Sequence, residues 1–192
     1  MFGFEREKHL NVPNVLSFYR LISFPFVLFF ILTNRESVFV ILLIINLITD
    51  ILDGAVSRIF NLCTEFGAKL DSLADDGTII LAILGIVYFK LEEFAPYFSS
   101  FLIFLIIYFL TMVISLIKFR RFPGMHLYSA KIGAYLQGLF FFILFVFDFN
   151  SIFYYIVIVW GIISLIENII IMLLESEMRS DFKGLYWVLK NR

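Results

Sequence analysis

Six apolar runs, each close to the ~20 residues an α-helix needs to cross the hydrocarbon core of a bilayer, follow one another along the chain. They extend approximately over residues 15–33, 38–59, 66–89, 94–117, 130–147 and 152–174. The runs are continuous rather than alternating, which excludes the strand pattern of a membrane β-barrel. Inside lipid the backbone must satisfy its own hydrogen bonds, so such runs are helical. The expected fold is all-α and polytopic, six transmembrane helices in one bundle. Composition agrees: of 192 residues 61% are hydrophobic, with a mean hydropathy of +0.96, against roughly 45–50% apolar in a soluble domain. No linker, low-complexity segment or repeat separates the runs, so residues 1–192 read as a single membrane domain. Its tail, 176–192, carries Lys183, Tyr186, Trp187 and Lys190, a mixture suited to the headgroup interface.

A polar head with Glu5, Arg6, Glu7, Lys8 and His9 precedes the first run, and no small-residue cleavage site follows it, so a removable signal peptide is not expected. Cys63 is the only cysteine, which excludes an internal disulfide and a cysteine-based metal site and leaves it as a small loop residue. Formal net charge is −1, yet Lys and Arg are distributed unequally. With six spans, one side collects Arg6, Lys8, Arg58, Lys69, Lys118, Arg120, Arg121, Lys131, Arg179, Lys183, Lys190 and Arg192, and the other holds Arg35 and Lys90. The positive-inside rule makes the crowded face, with both termini, cytoplasmic.

Against this background Asp50, Asp53, Asp71, Asp75 and Asp76 stand inside apolar segments. An ionisable group there costs at least roughly 2.5–3.5 kcal/mol on insertion scales, so the cluster needs a polar cavity, a cation or a partner charge. The segment DILDGAVSRIFNLCTEFGAKLDSLAD places two carboxylates three apart at the end of the second helix and two four apart at the start of the third. Each pair lies on one helix face. A short connection makes the helices antiparallel neighbours, so the four acids converge into an oxygen cage between them. Such a cage suits a hard divalent cation, magnesium or manganese, whereas zinc would want His or Cys, and His9 and His126 are distant in sequence. Gly54 and Gly67 permit close approach of a ligand or a neighbouring helix. Arg58 adds a guanidinium suited to gripping phosphate. Acids, a divalent metal and arginine at a cytosolic interface are the parts of a phosphoryl-transfer site.

The spacing D-x2-D-G-x2-S-R-x8-G-x3-D-x3-D resembles the signature of the CDP-alcohol phosphotransferase (CDP-alcohol phosphatidyltransferase) family, whose usual form has Ala where this chain has Ser57; every other position agrees. Length and six-helix layout are also similar. The resemblance implies phospholipid biosynthesis by transfer of a phosphatidyl group from CDP-diacylglycerol to an alcohol hydroxyl, with release of CMP. It implies that Asp50, Asp53 and Asp71 would ligate two ions, Mg²⁺ or Mn²⁺, and that Asp75 would contact metal and act as general base on the acceptor. Asp50, Gly54, Ser57, Arg58 and Gly67 would hold the CDP portion. A homodimer in a bacterial cell membrane, with the active site cytoplasmic and no nucleic-acid partner, is the implied setting.

Signals for the acceptor conflict. Asn11 to Arg20, N-V-P-N-V-L-S-F-Y-R, resembles the phosphatidylglycerophosphate and cardiolipin synthase branches. Those relatives typically carry Lys after the last motif Asp, where this chain has Asp76, and D-S-L-A-D looks more like phosphatidylserine synthases. Lys118, Arg120, Arg121 and Lys131 favour an acceptor bearing phosphate, with glycerol 3-phosphate leading and serine or inositol phosphate as alternatives. A basic cytoplasmic loop is also what topology alone requires. Arg20 either joins the acceptor pocket or snorkels to the headgroups. Glu167 and Asn168 read as interhelical hydrogen-bond partners, Asp76 as the partner of a nearby Lys or Arg, Pro25 as a helix kink, and the Phe residues as lipid-facing or packing surface. Two other enzyme-like or transport readings compete. A prenyltransferase normally needs two separate acidic motifs. A carboxylate-lined cation transporter gains nothing from Arg58 beside its ligands. A non-enzymatic scaffold is at odds with the intact acids.

Overall fold

The computed structural model describes residues 11–60, 62, 64–121, 127–175 and 182–190. The polar head, Cys63, the Pro123 and Gly124 loop, His126 and residues 176–181 and 191–192 of the tail lie outside the described residues. These form helices α1 (Val12–Leu32), α2 (Glu36–Ile59), α3 (Glu65–Phe89), α4 (Leu91–Phe94), α5 (Phe98–Phe119), α6 (Tyr128–Val146), α7 (Ser151–Leu174) and α8 (Leu185–Lys190). No strand occurs among the described residues, and six helical stretches in them are long and apolar enough to cross a membrane.

Capping chemistry sets several of the boundaries. Helix α1 starts ahead of its apolar run because the Asn11 side chain accepts the Asn14 N–H at 2.9 Å and Pro13 occupies the first turn, where no N–H is needed. Thr64 caps α3 in the same way, its hydroxyl accepting the Gly67 N–H at 2.9 Å. The fourth run is broken near its start: Pro96 sits in a 3₁₀ turn, Ala95–Tyr97, and α5 begins only at Phe98. At its other end α5 stops on Arg120, in the left-handed region at φ 56°.

Contacts divide the chain into two compact units, one through Leu91 and one from Glu92. In the first, α1 packs against both α2 and α3, which touch each other less. The buried face of α1 is Asn14, Ser17, Arg20 and Ser23, followed by Val27 and Ile31. Steps of three and four keep these positions on one side of the helix. One half of that side is polar and the other apolar; Phe39 and Leu43 of α2 and Leu81 and Ala82 of α3 are buried in the same unit.

In the second unit α7 packs against α5, α6 and α8. Aromatic rings of Phe94, Tyr97, Phe140, Phe149 and Tyr154 cluster there, with the Tyr154 hydroxyl 2.9 Å from Ser100 Oγ. Glu167 is the interhelical partner expected: one oxygen accepts the Ser129 hydroxyl of α6 and the other accepts the Leu185 N–H at 2.7 Å, fixing the start of α8. Asn168, expected to act similarly, has its buried Oδ1 without a partner among the described residues.

Candidate active site

The site grows from the polar half of α1. Arg20 extends between α2 and α3, and its two terminal nitrogens divide the four aspartates between them. Nη1 donates to Asp50 Oδ1 at 2.7 Å and to Asp75 Oδ1 at 2.6 Å. Nη2 donates to Asp53 Oδ2 at 2.8 Å and to Asp71 Oδ1. Each nitrogen therefore bridges one carboxylate of α2 to one of α3. Ser17, one turn earlier, donates to Asp53 Oδ2 at 3.0 Å, and Ser23, one turn later, donates to Asn46 Oδ1 at 3.1 Å. The acids converge as their spacing predicts, but among three helices rather than two, with a guanidinium in their midst.

This overturns the snorkelling reading of Arg20. Its side chain is 1% exposed, and all four N–H groups of its terminal nitrogens point at carboxylates, so the contacts differ from those of an acceptor-gripping arginine. Asp53 is buried, whereas the Asp50, Asp71 and Asp75 side chains are each about 40% exposed. The guanidinium thus lies on the protein side of the cage and the acids keep an open edge.

Next to that edge is a pocket lined by Asp53, Gly54, Ser57 and Arg58 of α2, Gly67 and Asp71 of α3, and Asn14 and Ser17 of α1. Six signature positions therefore share one cavity. Gly67 is required by close approach: a Cβ there would overlap Asn14 Oδ1 and lie 2.9 Å from Thr64 Oγ1. Gly54 is different, since a Cβ would meet only the end of the Arg58 side chain, at 3.4 Å from Nη1. Asn11 Nδ2 donates to Leu62 O at 3.0 Å, tying the start of α1 to a residue that lines the pocket.

Asn14 and Ser17 are pocket residues that sequence reasoning missed. The signal was present: polar residues at 14, 17, 20 and 23 recur every three positions on an otherwise apolar helix. Asp76 is exposed, and no ion pair reaches it among the described residues, contrary to the pairing expected for it. The remaining basic candidates belong to the second unit. Arg120, Arg121 and Lys131 are exposed there, with Lys131 Nζ 5.7 Å from the Tyr128 ring centroid. Lys118 donates to Met172 O at 2.7 Å and Leu173 O at 3.1 Å, so it caps the end of α7.

The donor set fits a hard cation. Asp50, Asp53 and Asp71 each offer an oxygen within 4.8 Å of the others, and carboxylate oxygens are what Mg²⁺ and Mn²⁺ prefer. Four carboxylates facing one guanidinium leave three negative charges to be balanced.

Comparison with known proteins agrees with this chemistry. Two of the similar curated proteins are CDP-diacylglycerol–glycerol-3-phosphate 3-phosphatidyltransferases of Aquifex aeolicus (strain VF5), 36% identical over 87 residues covering 45% of this chain and 49% of the relative, and of Escherichia coli (strain K12), 39% identical over 77 residues covering 38% and 42%. The chain spans about half the length, or less, of the curated relatives it matches. No solved structure matches it. Residues 10–166, which include α1, the whole aspartate cage and the pocket, match the family described as CDP-alcohol phosphatidyltransferase, and the chain belongs to that family.

Proposed function

We propose that the protein is a membrane phosphatidyltransferase that moves the phosphatidyl group of CDP-diacylglycerol onto an alcohol hydroxyl and releases CMP. The observation that carries this is the convergence of six signature residues on one pocket, two of which, Asp53 and Asp71, belong to a cluster of four carboxylates completed by Asp50 and Asp75. Arg58, exposed at the pocket, grips the diphosphate with its fork. Gly54, with Ser57 one turn beyond it, leaves room for the nucleotide, and Gly67 lets Asn14 and α3 close up to form the wall on which it rests. Asp75 accepts the proton of the acceptor hydroxyl as its oxygen forms a bond to the β-phosphorus and the anhydride P–O bond breaks, the electron pair leaving with CMP.

Asp50, Asp53, Asp71 and Asp75 hold the divalent ions in this reading. When bound, Mg²⁺ or Mn²⁺ supplies Lewis-acid stabilisation of the charge that develops on the phosphate oxygens. The relatives' names support glycerol 3-phosphate as acceptor, and the basic residues Arg120, Arg121 and Lys131 suit its phosphate by charge. A cytoplasmic active site in a bacterial membrane and a homodimeric state complete the proposal. Purified protein in detergent, given CDP-diacylglycerol and Mg²⁺ or Mn²⁺, is expected to release CMP with glycerol 3-phosphate, and EDTA is expected to stop it. Release only with serine or inositol phosphate would overturn the acceptor; no release with any acceptor, from folded metal-loaded protein, would overturn the reaction.

A further inference from the structure

We infer that Arg20 is the fixed counter-cation of the carboxylate cage, a positioning residue that holds the four aspartates together before any divalent ion binds and moderates how tightly the ion is then held. The inference rests on the metal-binding part of the proposed function and concerns a residue outside the family signature. Three features of the site carry it.

First, Arg20 cross-links the acids in pairs, Asp50 with Asp75 and Asp53 with Asp71, each pair joining α2 to α3. Like charges this close repel, and among the described residues the guanidinium is the one cation bonded to all four. Second, it engages a single oxygen of each carboxylate and approaches from the buried side, so the exposed edges of Asp50, Asp71 and Asp75 remain for a ligand. Third, its Nε, buried as well, has no partner among the described residues. The side chain is therefore held by the carboxylates themselves, and removing it leaves them without a cation to bridge α2 and α3 among the described residues, Asp53 keeping only its bond from Ser17, until a metal arrives. A guanidinium that stays beside the ions also opposes their binding, so its loss raises metal affinity even as it weakens the metal-free protein.

The test compares wild type, Arg20→Gln and Arg20→Lys in detergent without substrates. Thermal unfolding is followed in EDTA and in Mn²⁺, and bound manganese is counted from loss of the free-ion electron paramagnetic resonance signal. Arg20→Gln is expected to unfold well below wild type in EDTA, to recover most of the difference in Mn²⁺, and to bind Mn²⁺ about tenfold more tightly, the consequence of removing a full positive charge beside the ligands. A merely structural arginine would lower stability equally with and without metal and leave manganese affinity unchanged or weaker, and that result overturns the inference. Arg20→Lys keeps the charge but has no fork to span both pairs; it is expected to lose stability in EDTA while binding Mn²⁺ within about threefold of wild type. Wild-type stability of Arg20→Lys in EDTA would overturn the inference even if the Gln variant cannot be recovered. Absence of any manganese binding by wild type would instead refute the metal reading itself.

Discussion

Gly67→Ala offers a sharp test of the geometry because its neighbours are fixed. Gly67 is buried on α3, and a methyl group there would overlap Asn14 Oδ1, lie 2.9 Å from the Thr64 hydroxyl and 3.2 Å from Asn14 Cγ. Asn14 is itself 5% exposed on the buried face of α1, so it has little room to withdraw. Overpacking of this kind costs about 1–3 kcal/mol. Displacing Thr64 would also weaken the cap on α3, worth about 1 kcal/mol. Against this, Ala is favoured over Gly in a helix by about 1 kcal/mol. The net is a loss of roughly 1–3 kcal/mol, or about 3–10 °C in melting temperature for a chain of this size. Gly54→Ala is the matched control: its methyl would meet only the movable end of Arg58, at 3.4 Å or more. It is expected to melt at or slightly above the wild-type temperature while weakening binding of a CDP-diacylglycerol analogue measured by calorimetry. A Gly67→Ala protein melting within about 2 °C of wild type would refute the close packing of α1 on α3 at the pocket.

Other substitutions separate binding, chemistry and folding. Asp75→Asn is expected to abolish CMP release while a donor analogue still binds; turnover near the wild-type rate would sink its assignment as general base. Arg58→Lys should raise the donor dissociation constant about tenfold, since a point charge cannot reproduce a bidentate grip, and an unchanged constant would count against Arg58 as the diphosphate ligand. Glu167→Ala removes the acceptor of both the Ser129 hydroxyl and the Leu185 N–H, at a cost of about 2–3 kcal/mol. Thermal unfolding should show it, and limited proteolysis should cut the tail faster; a tail equally resistant in the variant would mean that Glu167 does not hold it.

Much of this arrangement was legible in the chain. The six spans follow from hydrocarbon thickness alone, and their observed ends differ mainly where a cap or a proline intervenes, as at Asn11 and Pro96. The pairing of Asp50 with Asp53, and of Asp71 with Asp75, was readable from helical spacing. The place of Arg20 was not, because its meaning lies in side chains 30 to 55 positions away. Taken singly, an arginine near a span end reads as a headgroup contact. Taken with Asn14, Ser17 and Ser23 it completes a polar stripe that only a polar neighbour could accommodate. Lys118 shows the same limit in the second unit: its partners are the last carbonyls of α7, 54 and 55 positions on, and nothing local distinguishes it from Arg120 or Arg121.

The position of Arg20 also bears on whether these carboxylates pass an ion or serve a reaction. A cation path needs ligands that can be surrendered in turn, yet here one guanidinium is bonded to all four acids and is itself buried. Charge leads to the same conclusion. Four carboxylates with Arg20 and Arg58 leave two negative charges, and the diphosphate of a CDP-linked donor adds two more. Two divalent cations neutralise that assembly and one does not, and an uncompensated charge is costly at a site set in a bilayer. The prediction is that donor and metal bind cooperatively: manganese titration is expected to reach two ions per chain when a CDP-diacylglycerol analogue is present, and the analogue should bind at least about tenfold more weakly in EDTA. A single ion in the presence of donor, or donor affinity indifferent to metal, would refute the charge argument.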